Sequence, residues 1–357
     1  MHSNHPIRAV AAVAVASALF AAAPAAAKTH FVHKGHSIQA AIDAAKHGDT
    51  IIVRKGSYAE NLDISKNGIK LRGQNVTLTQ PATPAANTCT NFSDTGKATG
   101  ICVHGKVSLG ANGPVADSIV NKVKVSGFTV RGFGADGILI FGASKTTVRN
   151  TRLLNNGGYG VFANTSSGTH FVSDTAKNNG EAGFYIGDSP KANALVRHSI
   201  ARGNHGAGVF MRDAETGVVE HNLLTGNCIG AFVLADAPGP SGHWKIRSNT
   251  VFKNNKACEA DPAEGNPPLS GLGIALSGAN DTLVQGNTVK GNSNVNPSVS
   301  TGGIVIQKGS GGTLPKNDTV RGNTAKNNKP FDIDWDGTGS VKFKNNTCGA
   351  SKPPGLC

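Results

Sequence analysis

Short apolar runs recur along the chain, each opened by a glycine and each alternating as a strand does. They stand at 137–140, 160–163, 183–186, 208–211, 230–233, 273–276 and 303–306, with spacings of 23, 23, 25 and 22 between the first five. A weaker early member is 100–103. A second row sets an apolar residue three places before a small polar one: Val148/Thr151, Val172/Thr175, Val196/Ser199, Val219/Asn222, Ile246/Asn249, Val284/Asn287, Val320/Asn323 and Phe343/Asn346. A third row follows about five residues on, with Asn156, Asn204, Asn227, Asn254, Asn292 and Asn328; Gly180 interrupts it beside Asn179. The period of two within each run predicts strands, and the polar rows predict turns.

Strand, turn, strand, Asn turn, strand and Asn-Gly turn make one rung of a three-sided parallel coil. About ten such rungs would stack at the ~4.8 Å spacing of paired strands. Equivalent Asn side chains then align and pair along the stack, which satisfies turn amides otherwise buried without partners. Residues 37–48 read differently. Ser37 caps a helical spacing of apolar residues that ends at Gly48. A short helix there would cover the first open rung, as an exposed strand edge requires.

Composition agrees with this reading. Glycine is 46 of 357 residues and Asn is 33, both poor helix formers, so a helical bundle is excluded. Charged residues are 16% and hydrophobic ones 38%, which excludes disorder. Residues 1–27 have the form of a secretory signal, with His5 and Arg8 ahead of an apolar run too short to span a membrane and small residues at 25–27. The expected organisation is a signal peptide at 1–27 and one domain at 28–357: capping helix 37–48, rungs 49–348 and tail 349–357. The mature chain would be secreted, with no transmembrane segment and a formal charge of 34 − 22 = +12. That charge favours an anionic partner. Lys and Arg form no tract, and no nucleic acid is expected.

The three registers together resemble the right-handed parallel β-helix repeat proteins of the pectate-lyase-like superfamily, over roughly 37–348. Residues 37–79 look like the opening of pectin methylesterases and of NosD-like β-helix proteins. The tail resembles that of exported actinobacterial members. The resemblance implies an all-β, right-handed three-sided parallel β-helix, and a superfamily that hosts lyases, hydrolases, esterases, epimerases and non-catalytic proteins. The named signatures are missing: the methylesterase Gln-Asp, the polygalacturonase Asn-Thr-Asp and Gly-His-Gly, and the Asp-Pro-His-Asp of alginate epimerases. Six cysteines allow fifteen pairings. Register within such a coil favours Cys228–Cys258, between neighbouring turns, with Cys89–Cys102 clamping an early loop and Cys348–Cys357 closing the tail.

Alternation places Leu139, Phe162, Tyr185, Phe210, Phe232, Ala275 and Val305 outward behind each glycine. Four successive rungs then carry an outward ring, a candidate platform for sugar rings. The alternative is that the rings pack under the long loops at 235–243, 256–272 and 293–301. Candidate substrate-binding residues are Phe162, Tyr185, Phe210, Phe232, Asn164 and Asp236. Arg212 is placed to hold a carboxylate, and Asp188 and Asp213, at comparable positions in adjacent rungs, can act with it as an acid/base pair or share Ca²⁺ with an acidic sugar. Asp332, Asp334 and Asp336 are a second set of candidate calcium ligands. They fail EF-hand spacing because Phe343 stands where Glu is needed. Asp174, His198 and His221 fall in one column, but rungs ~4.8 Å apart spread its ends too far for one ion. The leading expectation is a monomer that recognises or cleaves an acidic, uronate-type polysaccharide; the alternative is a non-catalytic envelope, adhesion or structural β-helix protein.

Overall fold

The computed structural model describes residues 26–92, 96–110, 113–236, 240–260 and 267–357. The expected signal segment lies outside the described residues apart from 26 and 27. The main strands join into one 31-stranded sheet that coils through the molecule, and neighbouring rungs pair in parallel. Each rung presents three strands. The first sheet runs from Leu62–Ile64 through Ile138–Phe141 and Val161–Asn164 to Ile333–Trp335 and Ser351–Lys352. The second runs from Thr50–Val53 through Thr147–Arg149 and His170–Val172 to Val341–Lys344. The third includes Arg152–Leu154, Thr175–Lys177 and Thr250–Phe252.

Inward positions fill a continuous apolar core, from Ile38 and Ile51 through Ile138, Val161, Phe184 and Val209 to Ile304 and Ile333. The expected helix is Ile38–Ala44. Ser37 accepts a hydrogen bond from the Ala40 N–H, and Ile38 and Ile42 close the first rung. At the other end Trp335 and Phe343 pack on the core with buried Leu356, beside the Cys348–Cys357 bridge. The three expected disulfides are all present.

Two polar ladders run inside the turns. In one, Asn156, Asn179, Asn204, Asn227, Asn254, Asn292 and Asn328 each pass side-chain hydrogen bonds to the next rung. Buried Asp332 ends the series, accepting from the Asn328 N–H and Nδ2, each at 2.9 Å. The other ladder is Thr151, Asp174, Ser199, Asn222, Asn249, Asn287, Asn323 and Asn346. Here the expected register slips by one residue. Phe171, not Val172, pairs with Val148 and points inward, and Asp174, not Thr175, occupies the ladder. Phe171 and Val172 are both apolar, so alternation alone does not choose between them, and a slip of one exchanges the faces.

Candidate functional site

The outward row of the first sheet is in the expected register. Leu139, Phe162, Tyr185, Phe210, Phe232, Ala275 and Val305 pair in succession. The rings, however, turn toward one another. Phe162 stacks on Tyr185 at 4.5 Å between centroids, and Phe210 on Phe232 at 5.1 Å, while Tyr185 meets Phe210 edge-on at 5.3 Å. Tyr159 leans on both Phe162 and Tyr185 at 5.0 Å. The spacing does not single out Tyr159: it stands just before its glycine, where the later rungs carry Ala182, Ala207, Ile229 and Leu272 and none carries a ring.

Loops cover both ends of the row. At the early end Val107, from the antiparallel hairpin of Lys106–Gly110 and Gly113–Ser118, packs with Leu139, Phe141 and Phe162 beside the Cys89–Cys102 bridge. At the late end the paired segments Ala257–Cys258 and Leu269–Ser270 bring Cys258 and Leu269 over Phe232, Ala275 and Val305. The Cys228–Cys258 bridge fastens that flap, and Ser270 N–H donates to Ser298 Oγ, joining it to the next loop. Tyr185 and Phe232 are thus 3% and 8% exposed, and Phe162 and Phe210 are half-buried. The row is a short window of ring edges between two walls, shallower than a fully outward row.

Polar candidates gather beside this window. Arg212 follows Phe210 by two and emerges between Gly187 and Leu234. Gly187 is required there, because the Tyr185 hydroxyl lies where a Cβ would sit. Arg212 Nη2 contacts Asp236 Oδ2 at 2.6 Å, and its Nε lies 3.9 Å from Asp213 Oδ2. That Nε is buried and donates no hydrogen bond. Asp213 accepts from the Asp236 N–H at 2.9 Å. Asn164 Nδ2 donates to Asp188 Oδ2 at 2.6 Å. Ser310 Oγ donates to Asp236 Oδ1 across 74 residues of sequence, a contact no local pattern announces.

Thr165, Asp188 and Asp213 share one turn column and all take positive φ, at 47°, 46° and 47°. Asp tolerates this conformation, but a β-branched Thr there is strained. Burial raises the Asp213 carboxyl above its ordinary range, with Arg212 opposing. Burial also pushes the phenols of Tyr159 and Tyr185 up, so both remain neutral donors at neutral pH. Arg212, despite burial that disfavours its charge, is held cationic by the carboxylates of Asp236, Asp188 and Asp213. The cluster sets one guanidinium against three carboxylates.

Among the described residues, the one group of at least three potential metal-ligand atoms within 4.8 Å of one another is Asp63, Cys102 and His104, and Cys102 is committed to a disulfide. Asp188, Asp213 and Asp236 do not form such a group. Nor do Asp332, Asp334 and Asp336. Asp332 faces inward and caps the Asn ladder, Asp334 lies outward beside Val305, and Asp336 accepts from the Thr338 N–H and Oγ1. The column of Asp174, His198 and His221 also separates. Asp174 is interior with Ser199, whereas the two His rings stack at 5.3 Å in left-handed turn positions.

The description "right handed beta helix region" matches residues 49–241 and 136–311, well over half of the chain. The chain belongs to the right-handed β-helix family. This β-helix has no match among curated protein sequences. Among solved structures it is similar to the A-module of the Azotobacter vinelandii mannuronan C-5 epimerase AlgE4, with 16% identity, TM-score 0.60, and 88% of this chain and 91% of that one covered. It is also similar to the periplasmic alginate epimerase AlgG, at 13% identity, TM-score 0.54 and coverage of 84% and 77%. A third likeness is to ORF18 of Geobacillus virus E2, at 11% identity, TM-score 0.53 and coverage of 87% and 56%. At these identities the likeness is one of fold. No helix among the described residues is long and apolar enough to cross a membrane.

Proposed function

We propose that this is an exported β-helix protein that binds an acidic, uronate-type polysaccharide across the ring window of its first sheet. The observation that carries the reading is Arg212. It stands beside half-buried Phe210, pairs with Asp236 at the loop rim through Nη2, and has Asp213 3.9 Å from its buried Nε, which donates no hydrogen bond. A sugar carboxylate displaces Asp236 and takes the guanidinium bidentately. Phe162 and Phe210 meet the apolar edge of the chain, and exposed Asp188, one of whose oxygens Asn164 holds, offers the other at the adjoining turn. Two named fold neighbours act on mannuronan or alginate, which supports the polymer class. Three disulfides suit an oxidising compartment.

Binding is better supported than cleavage or epimerisation. The tyrosines are raised away from the ionised form a base needs, and Asp188 and Asp213 are already committed to Asn164 and the Asp236 N–H. The covered Tyr185 and Phe232 favour a second reading, a non-catalytic structural rod whose rings serve only as packing.

One experiment separates them. Oligouronate binding at low salt is measured for the mature protein, for Phe210→Ala/Arg212→Ala and for Asp236→Asn. The double variant should lose binding at the window. Asp236→Asn should tighten it several-fold by removing the competing carboxylate. Unchanged affinity in both variants sinks the ring-window reading and leaves the rod.

A further inference from the structure

Away from the ring window, the outer face of the second sheet carries ordered rows of cationic side chains. One outward row there reads Ile52, Arg72, Ser126, Arg149, Val172, Arg197, Glu220, Arg247, Gln285, Arg321 and Lys344, each paired with the next. An arginine occupies every second rung from Arg72 to Arg321. The neighbouring outward row adds Lys70, Lys124, Lys245 and Lys342. Glu220 is the one carboxylate among the outward positions of these two rows.

Adjacent rungs are ~4.8 Å apart, so the arginines recur at ~10 Å in single file. The residues between them orient the guanidiniums. Glu220 Oε2 takes Nε and Nη2 of Arg247, each at 2.8 Å, and its Oε1 lies 3.5 Å from Arg197 Nη1. Gln285 Oε1 accepts from Arg321 Nη2 at 3.2 Å. Arg197 and Arg247 remain 43% and 47% exposed, and Arg72, Arg149 and Arg321 are exposed as well. At the early end the face widens into a groove of about 690 Å³ lined by Lys70, Lys122, Lys124 and Lys145 with His47 and His170.

We propose that this arginine row is a second binding site, for an extended acidic polysaccharide lying parallel to the coil axis with a carboxylate presented to the row at every second sugar. Two sugar rings in an extended chain span about the length of two rungs. Forked guanidiniums suit carboxylates. Duplex nucleic acid carries a charge per ~1.7 Å of axis, far denser than the row. Single strands are held largely by stacking on successive aromatic side chains, and these rows carry one outward ring, Phe31, at the end beyond Ile52 and under Arg54. The site shares its polymer class with the ring window but none of its residues.

The test compares two triple variants of the mature protein, each lacking three surface charges. Arg149→Gln/Arg247→Gln/Arg321→Gln empties the row, and Lys177→Gln/Lys290→Gln/Lys326→Gln removes exposed lysines from the third sheet. Circular dichroism checks that both fold. The probes are a fluorescent oligouronate, an oligosaccharide with uronate at alternate sugars, and a single-stranded oligonucleotide of equal charge. The row variant should weaken binding of both saccharides about tenfold or more, as loss of three charge-assisted contacts implies, while the lysine variant changes it less than twofold. Equal losses in the two variants overturn the proposal, as does an oligonucleotide that binds as tightly as the saccharides and responds to the same substitutions. Loss of all saccharide binding in Phe210→Ala/Arg212→Ala, with none in the row variant, rejects the row and leaves the ring window standing. Retained row-dependent binding in that double variant supports the row independently of the window.

Discussion

Asn227 stands in the middle of the buried Asn ladder, and its removal tests what the ladder contributes. Its Oδ1 accepts from the Asn204 N–H at 3.0 Å and from Asn204 Nδ2 at 2.9 Å. Its Nδ2 donates to Asn254 Oδ1 at 3.0 Å and to the Ala201 carbonyl at 3.1 Å. Asn227→Ala removes all four. Asn204 Nδ2 keeps the Ala176 carbonyl, and Asn254 Oδ1 keeps the residue 227 N–H. The Asn204 N–H is left buried without a partner. Hydrogen bonds contribute about 0.5–1.5 kcal/mol net each, and an orphaned buried donor costs about 1–3 kcal/mol, so the expected loss is about 3–7 kcal/mol. Asn294→Ala, at an exposed loop position, should stay within about 0.5 kcal/mol. Urea unfolding followed through Trp244 and Trp335 fluorescence measures both, as shifts in midpoint at constant slope. Asn227→Asp adds a sign. A carboxylate keeps the acceptor but faces Asn254 Oδ1, so its cost at pH 7 should shrink as the pH falls and the acid regains a donor. A loss below about 1 kcal/mol for Asn227→Ala would refute the view that these amides, rather than the apolar core alone, hold the turns.

Asp174 and Asp318 occupy turn positions where burial raises each carboxyl to about 7, opposed by hydrogen bonds from the Thr151 and Thr282 N–H groups, and one oxygen of each has no partner. A raised carboxyl binds its proton more tightly folded than unfolded, so this contribution is complete below the unfolded value near ~4 and is lost as pH rises toward 7. Asp174→Asn should therefore stabilise more at pH 8 than at pH 5, by about 1–3 kcal/mol, in paired denaturation curves. Cys258→Ser should free the flap over Phe232, lower stability by about 2–4 kcal/mol and open the 256–272 segment to limited proteolysis. Gly217→Ala should cost about 1–3 kcal/mol, read as a lower melting temperature with altered Trp244 emission, because its Cβ would enter the buried indole.

Much of the coil is legible from local pattern. Alternation marks the inward residues, and Asn and Gly mark turns at nearly constant intervals, because a stacked rung repeats its chemistry at each level. Alternation fails where Phe171 and Val172 give it nothing to distinguish, and the Asn row that spacing breaks at Gly180 runs on through Asn179. The site was legible only in part. The order Phe162, Tyr185, Phe210, Phe232 follows from spacing, but their burial depends on Val107 and on the Cys258–Leu269 flap, which belong to segments outside the repeat. The Arg212–Asp236–Ser310 link joins residues whose separation hides it.

The chain's own order of residues therefore settles the number of sides and most inward and outward faces, since these depend on interactions between equivalent positions of neighbouring rungs, and the capping helix, which its own apolar spacing and Ser37 define. Folding in three dimensions decides which outward residues meet solvent. It also turns an arginine placed once in every second repeat, dispersed along the chain and forming no tract, into a straight charged row. Stacking converts an interval of many residues into a rise of a few ångströms, and that conversion exists only once the coil has closed.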